Sequence, residues 1–179
     1  MFFKSSPTLP EVLVVYPEII EDNRGFFFEL YRKDKFEKAG IKISFVQDNR
    51  SRSIKGTLRG LHYQLGRPQG KLVWVLEGII FDVAVDIRRT ATTFGKWTGH
   101  ILSDENKKGI YVPPDFAHGF CVLSDEAEIL YKCSDLYSPE HERCIRWDDP
   151  DLAIHWPIQD PILSEKDGYS PFLKDAELP

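Results

Sequence analysis

Short strand-like runs separated by glycine are the feature that most constrains how this chain can fold. Glycine recurs at short intervals from Gly25 to Gly119, and the runs between are rich in valine, isoleucine, phenylalanine, tyrosine and tryptophan. The clearest runs are Leu72–Leu76, Ile79–Ile87 and Glu128–Cys133. β-Branched and aromatic residues favour strands, and many short strands joined by turns are typical of a β-sandwich or barrel. The pattern therefore predicts an all-β fold.

Helix signals are few and short. Lys33–Gly40 is predicted to form a helix that ends at its glycine. Ser164 is a candidate N-cap for a second helix, with Asp167 at the capping-box position. Prolines recur from Trp147 onward, so we expect this last part of the chain to wrap the surface as an irregular tail.

Size and composition indicate one globular domain, residues 1–179. Of the 179 residues, 42% are hydrophobic and 28% are charged, which is typical of a soluble globular protein. The net charge of −5 argues against nucleic-acid binding, which needs a basic surface. No apolar run approaches the length of a secretion signal or a membrane span. We therefore expect a cytoplasmic protein with no membrane partner.

The three cysteines argue against a disulfide framework. Cys121, Cys133 and Cys144 are odd in number and have no CxxC spacing. Cys121 and Cys133 lie in apolar runs, so we expect buried free thiols.

The segment Arg59–Gln64 carries the most chemically useful side chains. Gly56 precedes this segment and Gly60 lies within it, and both allow the backbone to turn tightly. Side chains alternate between the two faces of a strand, so strict alternation places Arg59 and His62 on opposite faces. A bend at Gly60 would be needed to bring both into one pocket. From this segment alone, a purely structural histidine is an equally good interpretation.

Further ionisable residues stand in or beside apolar strands. A charge in such a strand costs free energy unless it is paired or serves catalysis. The structural alternative to a catalytic site is therefore a buried ion-pair network, for example Lys71 with Asp82. The residues in question are Lys71, Asp82, Asp86, His118 and Tyr131.

These residue types together suit proton transfer beside a ketone. Such a reaction needs a base on one face of a carbon, an acid on the other face and positive charge near the enolate oxygen. Histidine can be the base because its ordinary pKa is about 6.5. A carboxylate can orient the imidazole, tyrosine can be the acid, and lysine can stabilise the oxyanion.

A metal site is disfavoured by the histidine pattern. None of the five histidines forms an HxH pair, and Gln64 occupies the second position after His62. His62 and His118 could still meet in space with a carboxylate and form a ligand set. We nevertheless expect no metal and no cofactor.

Eight short segments share their order and spacing with one known family. They are Asp22–Glu29, Phe45–Asn49, Leu58–Gln64, Gln69–Val73, Phe81–Arg88, Pro113–Phe120, Leu130–Lys132 and Leu163–Asp167. On these segments, from about Pro17 to Leu173, the sequence closely resembles the dTDP-4-dehydrorhamnose 3,5-epimerase family. The resemblance implies a jelly-roll cupin barrel with a few short helices. It also implies a homodimer in which the N-terminal segment is shared with the partner.

The resemblance implies an isomerase that acts on dTDP-4-dehydro-6-deoxy-D-glucose. Inversion at carbons 3 and 5 would give dTDP-4-dehydro-L-rhamnose, on the route to dTDP-rhamnose. His62 would be the base, Asp167 its carboxylate partner and Tyr131 the acid on the opposite face. Lys71 would hold the enolate oxygen, and Asp82 and Asp86 would be supporting carboxylates. The substrate-binding residues implied are Arg24, Phe26, Glu29, Gln47, Asn49, Arg59, His118 and Tyr137. Some of the nucleotide contacts would reach across the dimer.

Three rival functions remain from the sequence. The first is a single 3- or 5-epimerase, or a 4-keto-sugar isomerase, on the same fold, because the shared motifs do not separate these outcomes. The second is a catalytically silent cupin that binds a sugar nucleotide, although simple binding needs no acid–base set. The third is a metal-dependent oxygenase, which metal analysis would identify.

Overall fold

Two antiparallel sheets packed face to face make up the body of the protein in the computed structural model, which describes all 179 residues. The strands are β1 Phe2–Ser5, β2 Leu13–Tyr16, β3 Ile20–Asp22, β4 Gly25–Phe27, β5 Gln47–Ile54, β6 Leu58–Gln64, β7 Lys71–Glu77, β8 Ile79–Asp86, β9 Trp97–Ser103, β10 Gly109–Val112, β11 Phe116–Val122, β12 Glu126–Cys133 and β13 Glu142–Cys144. One sheet has the order β1-β2-β10-β7-β12-β5, the other β13-β6-β11-β8-β9, and β3 and β4 form a separate hairpin. The predicted all-β, jelly-roll type of fold is confirmed.

The helices are as short as the sequence predicts. Helix α1 spans Lys33–Lys38 and is followed by Gly40 at φ +91°. Helix α2 spans Glu165–Gly168, and the side chain of its N-cap, Ser164, accepts a hydrogen bond from the backbone amide of Asp167. A 3-10 turn follows at Leu173–Asp175. None of these helices has the length and apolar character needed to cross a bilayer.

Both sheets are covered on both faces, which explains why their central strands have near-continuous apolar sequences. Between the sheets, Val73 and Ile129 of one sheet pack with Ala84 and Phe120 of the other. The outer face of the six-stranded sheet is covered by the N-terminal region, where Phe36 of α1 joins a second apolar cluster.

The C-terminal tail is irregular, as predicted, but it does more than wrap the surface. Leu152 and Leu173 are 3% and 6% exposed and pack with Val83 and Val85 on the outer face of the five-stranded sheet. Ile145, just after β13, is fully buried in the same cluster. The prolines interrupt helix and strand, while the apolar residues between them still form core. The tail also brings α2, and with it Asp167, to the end of β6 and β13.

A β-bulge in β6 resolves the conflict between strand alternation and a shared pocket. His62 lies opposite His118 on β11, and Arg59 lies opposite Phe120. Two residues of β6, Gly60 and Leu61, therefore lie opposite the single residue Gly119. Cross-strand partners point to the same face, and His118 and Phe120, two residues apart, share one. The extra residue thus returns Arg59 and His62 to the same face. The bend expected at Gly60 is confirmed in this form.

Candidate active site

His62 and Asp167 form a short hydrogen-bonded pair inside the barrel. His62 Nε2 lies 2.6 Å from Asp167 Oδ1, and the side chains are 28% and 4% exposed, respectively. The imidazole is therefore open to a cavity on one side, while its carboxylate partner is closed off from water. Because an ionised carboxylate only accepts, Nε2 carries the proton and Nδ1 is left with the free lone pair.

The surroundings of Asp167 keep its carboxylate ionised. Burial opposes the charge, but hydrogen bonding and charge from His62, the Ser164 hydroxyl and nearby Lys166 outweigh it and hold the pKa of Asp167 below its ordinary value. Asp167 lies in the first turn of α2, and the Ser164 side chain that helps to lower its pKa also holds its backbone amide. The prediction that Ser164 is the N-cap is confirmed, while the Asp167 side chain contacts His62.

Lys71 lies at the start of β7 with its ammonium directed into the barrel. Its Nζ is 3.5 Å from the carbonyl oxygen of His62, and no carboxylate comes within ion-pair distance. Burial lowers the pKa of Lys71, an effect that the charge of Asp82 only partly offsets. The alternative of a buried Lys71–Asp82 ion pair is wrong, because Asp82 pairs instead with His118.

His118 and Asp82 form a second histidine–carboxylate pair beside the first. His118 Nε2 lies 2.8 Å from Asp82 Oδ2, and the other oxygen, Oδ1, is buried without a partner. His62 and His118 are opposite one another in register, yet each ring binds its own carboxylate. The metal alternative requires His62 and His118 to converge on one carboxylate. The structure gives each histidine a carboxylate of its own.

Asp86 does not reach this site. Its carboxylate accepts from Arg88 at 2.7–3.0 Å and from the hydroxyl of Thr93 at 2.5 Å, and it is fully buried there. The sequence-based assignment of Asp86 as a supporting carboxylate of the active site is therefore wrong. Its position four residues after Asp82 gives it the same strand face, but at the other end of the strand.

Two adjoining cavities of about 280 and 250 Å³ open beside His62. Five residues line both of them, namely His62, Lys71, Tyr131, Tyr137 and Glu142. His62 belongs to the five-stranded sheet and Tyr131 to the six-stranded sheet, so the imidazole and the phenol face the space from opposite walls. Burial raises the pKa of Tyr131, with Cys133 adding to the effect, and the phenol stays protonated at neutral pH.

Besides Tyr137, four of the predicted binding residues line the same space. Gln47 and Asn49 lie in the first cavity, and Arg59 and His118 in the second. The Gln47 side chain donates to Asn49 at 2.9 Å and accepts from the backbone amide of Tyr137 at 2.8 Å. These bonds fix the rim of the cavity on the β5 side.

Three other predicted binding residues lie apart from the cavity of their own chain. Arg24 pairs with Asp22 and its side chain is 86% exposed. Phe26 is 60% exposed on the β3–β4 hairpin, and Glu29 pairs with Lys35 at 2.6 Å. Within a single chain the structure does not bring these three residues to His62.

Sequence reasoning missed Glu142 and Cys144, both on β13. The Tyr137 hydroxyl donates to Glu142 Oε2 at 2.7 Å, and Lys166 pairs with the same carboxylate. Cys144 lies directly opposite His62 in register, with its Sγ 3.8 Å from Asp167 Oδ1. Only the pairing of β13 with β6 shows that these two residues are neighbours of His62. In the sequence itself, the spacing of Glu142 and Cys144 two residues apart indicates only that they share a strand face.

The sequence matches the family described as dTDP-4-dehydrorhamnose 3,5-epimerase over residues 6–175. The dTDP-4-dehydrorhamnose 3,5-epimerase of Pseudomonas aeruginosa is 56% identical over 171 residues, which cover 94% of each chain. That of Methanothermobacter thermautotrophicus is 50% identical over 169 residues, covering 93% of this chain and 90% of the relative.

Solved structures of sugar-nucleotide epimerases match nearly the whole chain. The dTDP-6-deoxy-D-glucose-3,5-epimerase of Legionella pneumophila, in complex with dTDP-4-keto-L-rhamnose, matches with a TM-score of 0.96 at 49% identity and covers 99% of this chain and 97% of its own. A 3′-monoepimerase from Streptomyces bikiniensis, in complex with dTDP-quinovose, matches with a TM-score of 0.89 at 32% identity, covering 96% and 88%. The chain belongs to the dTDP-4-dehydrorhamnose 3,5-epimerase family.

Proposed function

We propose that this chain inverts carbons 3 and 5 of dTDP-4-dehydro-6-deoxy-D-glucose, giving dTDP-4-dehydro-L-rhamnose, by proton transfer that needs no metal. The observation that carries the proposal is the position of His62 and Tyr131 on opposite walls of one cavity, with the ammonium of Lys71 beside them. A base and an acid on opposite faces of a carbon are what inversion requires.

His62 acts as the base through Nδ1. Its Nε2–H is held by Asp167 at 2.6 Å, so the free lone pair points away from the carboxylate and towards the cavity. When Nδ1 takes the proton from carbon 3 or carbon 5, the imidazolium that forms is stabilised by the ionised Asp167. General-base help of this kind is worth about 10²- to 10⁴-fold in rate.

Lys71 stabilises the enolate. Both carbon 3 and carbon 5 are bonded to the carbonyl carbon 4, so loss of a proton from either places negative charge on the same oxygen. A cation without a carboxylate partner, in a water-poor site, interacts strongly with that charge. One ammonium can therefore serve both inversions.

Tyr131 returns a proton from the opposite face. Its raised pKa, caused first by burial, keeps the phenol protonated until the enolate accepts. Arg59 suits the diphosphate because a guanidinium presents a fork of donors to phosphate oxygens. His118, Gln47, Asn49 and Tyr137 complete the sugar and nucleotide contacts.

The N-terminal contacts are proposed to come from a second copy of the chain. Arg24, Phe26 and Glu29 lie outside their own cavity, and the β3–β4 hairpin exposes apolar side chains such as Phe27, which is 64% exposed. Docking this hairpin on the partner would bury that surface and bring the three residues to the partner's nucleotide. We place this homodimer in the cytoplasm, where sugar nucleotides are made.

Product analysis in heavy water tests the proposed reaction. With dTDP-4-dehydro-6-deoxy-D-glucose as substrate, deuterium should enter at both carbon 3 and carbon 5, and reduction of the product should give the L-rhamno configuration. Label at one carbon alone would establish the alternative, a single epimerase like the Streptomyces bikiniensis relative. No label at either carbon would reject proton transfer altogether.

Two variants separate the base from the acid. His62→Ala should lose turnover and deuterium exchange together, by about 10²-fold or more, while dTDP binding stays nearly normal. Tyr131→Phe should keep exchange from the face of His62 but lose inversion. Equal loss of exchange and inversion in Tyr131→Phe would contradict the assignment of Tyr131 as the opposite-face donor.

A further inference from the structure

A third potential metal ligand lies beside the proposed catalytic pair. Cys144 faces His62 across the β13–β6 pairing, and its Sγ is 3.8 Å from Asp167 Oδ1. A nitrogen of His62, the thiol sulfur and a carboxylate oxygen of Asp167 all lie within 4.8 Å of one another. Nothing in the proposed proton transfer uses this thiol.

One of the three separations already fits a tetrahedral zinc site. Zinc binds cysteine sulfur at about 2.3 Å and histidine nitrogen or carboxylate oxygen at about 2.0–2.2 Å, which separates ligand atoms by roughly 3.3–3.7 Å. The sulfur–oxygen separation of 3.8 Å nearly fits already. The imidazole–carboxylate separation of 2.6 Å has to widen by roughly 0.7 Å, and the cavity that the His62 ring borders leaves space for this shift.

We propose that His62, Cys144 and Asp167 form an inhibitory site for a thiophilic divalent cation such as Zn²⁺. The cation coordinates Nε2, Sγ and Oδ1, a water that enters with it completes the tetrahedron, and the thiol proton is released to solvent. With Nε2 coordinated, the ring proton moves to Nδ1, so the lone pair that would abstract the substrate proton is lost. The inhibition, though not the binding, depends on the proposed function.

The chemistry of the site selects against the common hard cations. Mg²⁺ and Ca²⁺ prefer sets of oxygen ligands and water, whereas a thiolate and an imidazole favour Zn²⁺, Co²⁺ or Cd²⁺. Mg²⁺ at the same concentration is therefore the matched control ion. It should neither bind here nor slow the reaction.

Direct binding tests the site independently of activity. Calorimetry of the intact protein with ZnCl₂ should give one site per chain. With CoCl₂, a thiolate-to-metal charge-transfer absorption should appear, which reports on sulfur ligation without any substitution. Saturable zinc binding with no such absorption would overturn the assignment of Cys144, and no saturable binding at all would overturn the site.

Two single substitutions identify the thiol. Cys144→Ser should weaken zinc binding by more than about 10- to 100-fold, the range that loss of even an outer-shell partner costs. Cys133→Ser is the matched control, because Cys133 is also a buried free thiol but lies opposite Lys71 in register, where a cation is repelled. Zinc affinity that survives Cys144→Ser, or that falls equally in Cys133→Ser, contradicts the proposal.

Inhibition is measured last, as the exchange rate with zinc divided by the metal-free rate of the same protein. Zinc should abolish deuterium exchange in the wild-type enzyme, EDTA should restore it, and Cys144→Ser should resist it, each relative to its own metal-free rate. If the protein has no epimerase activity, the proposed function fails while the calorimetric result still decides the metal site. Zinc binding without loss of exchange would overturn the inhibitory role.

Discussion

Lys71 lies in an environment very different from that of an ordinary surface lysine. Its ammonium is inside the barrel with a carbonyl oxygen at 3.5 Å and no carboxylate partner, and burial lowers its pKa. Such a charge destabilises the folded state unless a ligand balances it. The enolate oxygen of the proposed reaction would provide that balance during turnover.

We therefore expect Lys71→Met to stabilise the protein while removing its activity. Methionine has a similar length without the charge, so the free energy of unfolding should rise by about 1–2 kcal/mol, as measured by urea denaturation. Lys132→Met is the control, since Asp48 at 2.7 Å balances the charge of Lys132 and its removal should bring no gain in stability. Lower stability in Lys71→Met would show that the ammonium is paired in solution.

Asp167 links the proposed chemistry to the pH dependence of stability. Its pKa in the folded protein is below the ordinary value of about 3.9, so the unfolded chain binds a proton more readily. The stabilising contribution is present above pH about 4 and is lost as pH falls through the folded-state pKa. Asp167→Asn removes it at every pH.

The stability difference between wild type and Asp167→Asn should accordingly shrink on acidification. Urea denaturation of both proteins between pH about 5 and 3, where the Asp167 carboxylate titrates, measures it. A difference that stays constant or grows as the pH falls would mean that the carboxylate gains nothing from His62. Turnover of Asp167→Asn at neutral pH should fall by about 10²- to 10⁴-fold, because the imidazolium loses its counter-charge.

At the residue scale, the main side chains of the candidate active site were predictable from the sequence, but not all of the residues that they contact. The contact between His62 and Asp167 spans 105 positions and was predictable only through the family resemblance. Glu142 and Cys144 were missed because their roles depend on which strand β13 pairs with. Asp86 was wrongly included because its strand face was predictable and its distance along the strand from the cavity was not.

At the element scale, the decisive feature is the bulge in β6. Alternation predicts the face of a residue only while two strands keep register, and an inserted residue is visible only against the partner strand. The sequence signal was Gly60, which has φ +136°. A Cβ on Gly60 would lie 2.5 Å from the Cα of Gly119, so the two strands approach too closely for any side chain there.

Gly60→Ala should therefore damage both stability and activity. Backbone atoms of Gly119 cannot move aside as a side chain can, so the bulge must shift and carry Arg59 and His62 with it. We expect the free energy of unfolding to fall by about 2 kcal/mol or more, and turnover to fall even where the protein remains folded.

Gly56→Ala is the matched control for Gly60→Ala. Gly56 also has a positive φ, +80°, but a Cβ there meets nothing within 4 Å. It should cost only the conformational penalty of about 1–2 kcal/mol and leave kcat unchanged. Equal effects of the two substitutions on kcat would remove the argument that the bulge positions the site.

At the scale of the whole molecule, the two ends of the chain have different roles. The irregular C-terminal tail was predictable from its prolines, but its contribution to the core was not, because burial of Leu152 and Leu173 depends on the sheet face that they cover. The N-terminal hairpin leaves Ile20, Phe26 and Phe27 at least 60% exposed. A single chain provides no surface that covers this hairpin.

If the hairpin completes the site of a second copy, two inactive variants should restore each other. Arg24→Ala removes a contact given to the partner, whereas His62→Ala disables the chain's own site. In a mixed dimer one site has both defects and the other has neither. After subunit exchange of equal amounts, about one quarter of wild-type activity should return, because half of the dimers are mixed and half of their sites are intact. Size-exclusion chromatography or sedimentation verifies that dimers form. Activity that stays at the level of the separate variants, or full activity in a monomer, would show that each chain builds its site alone.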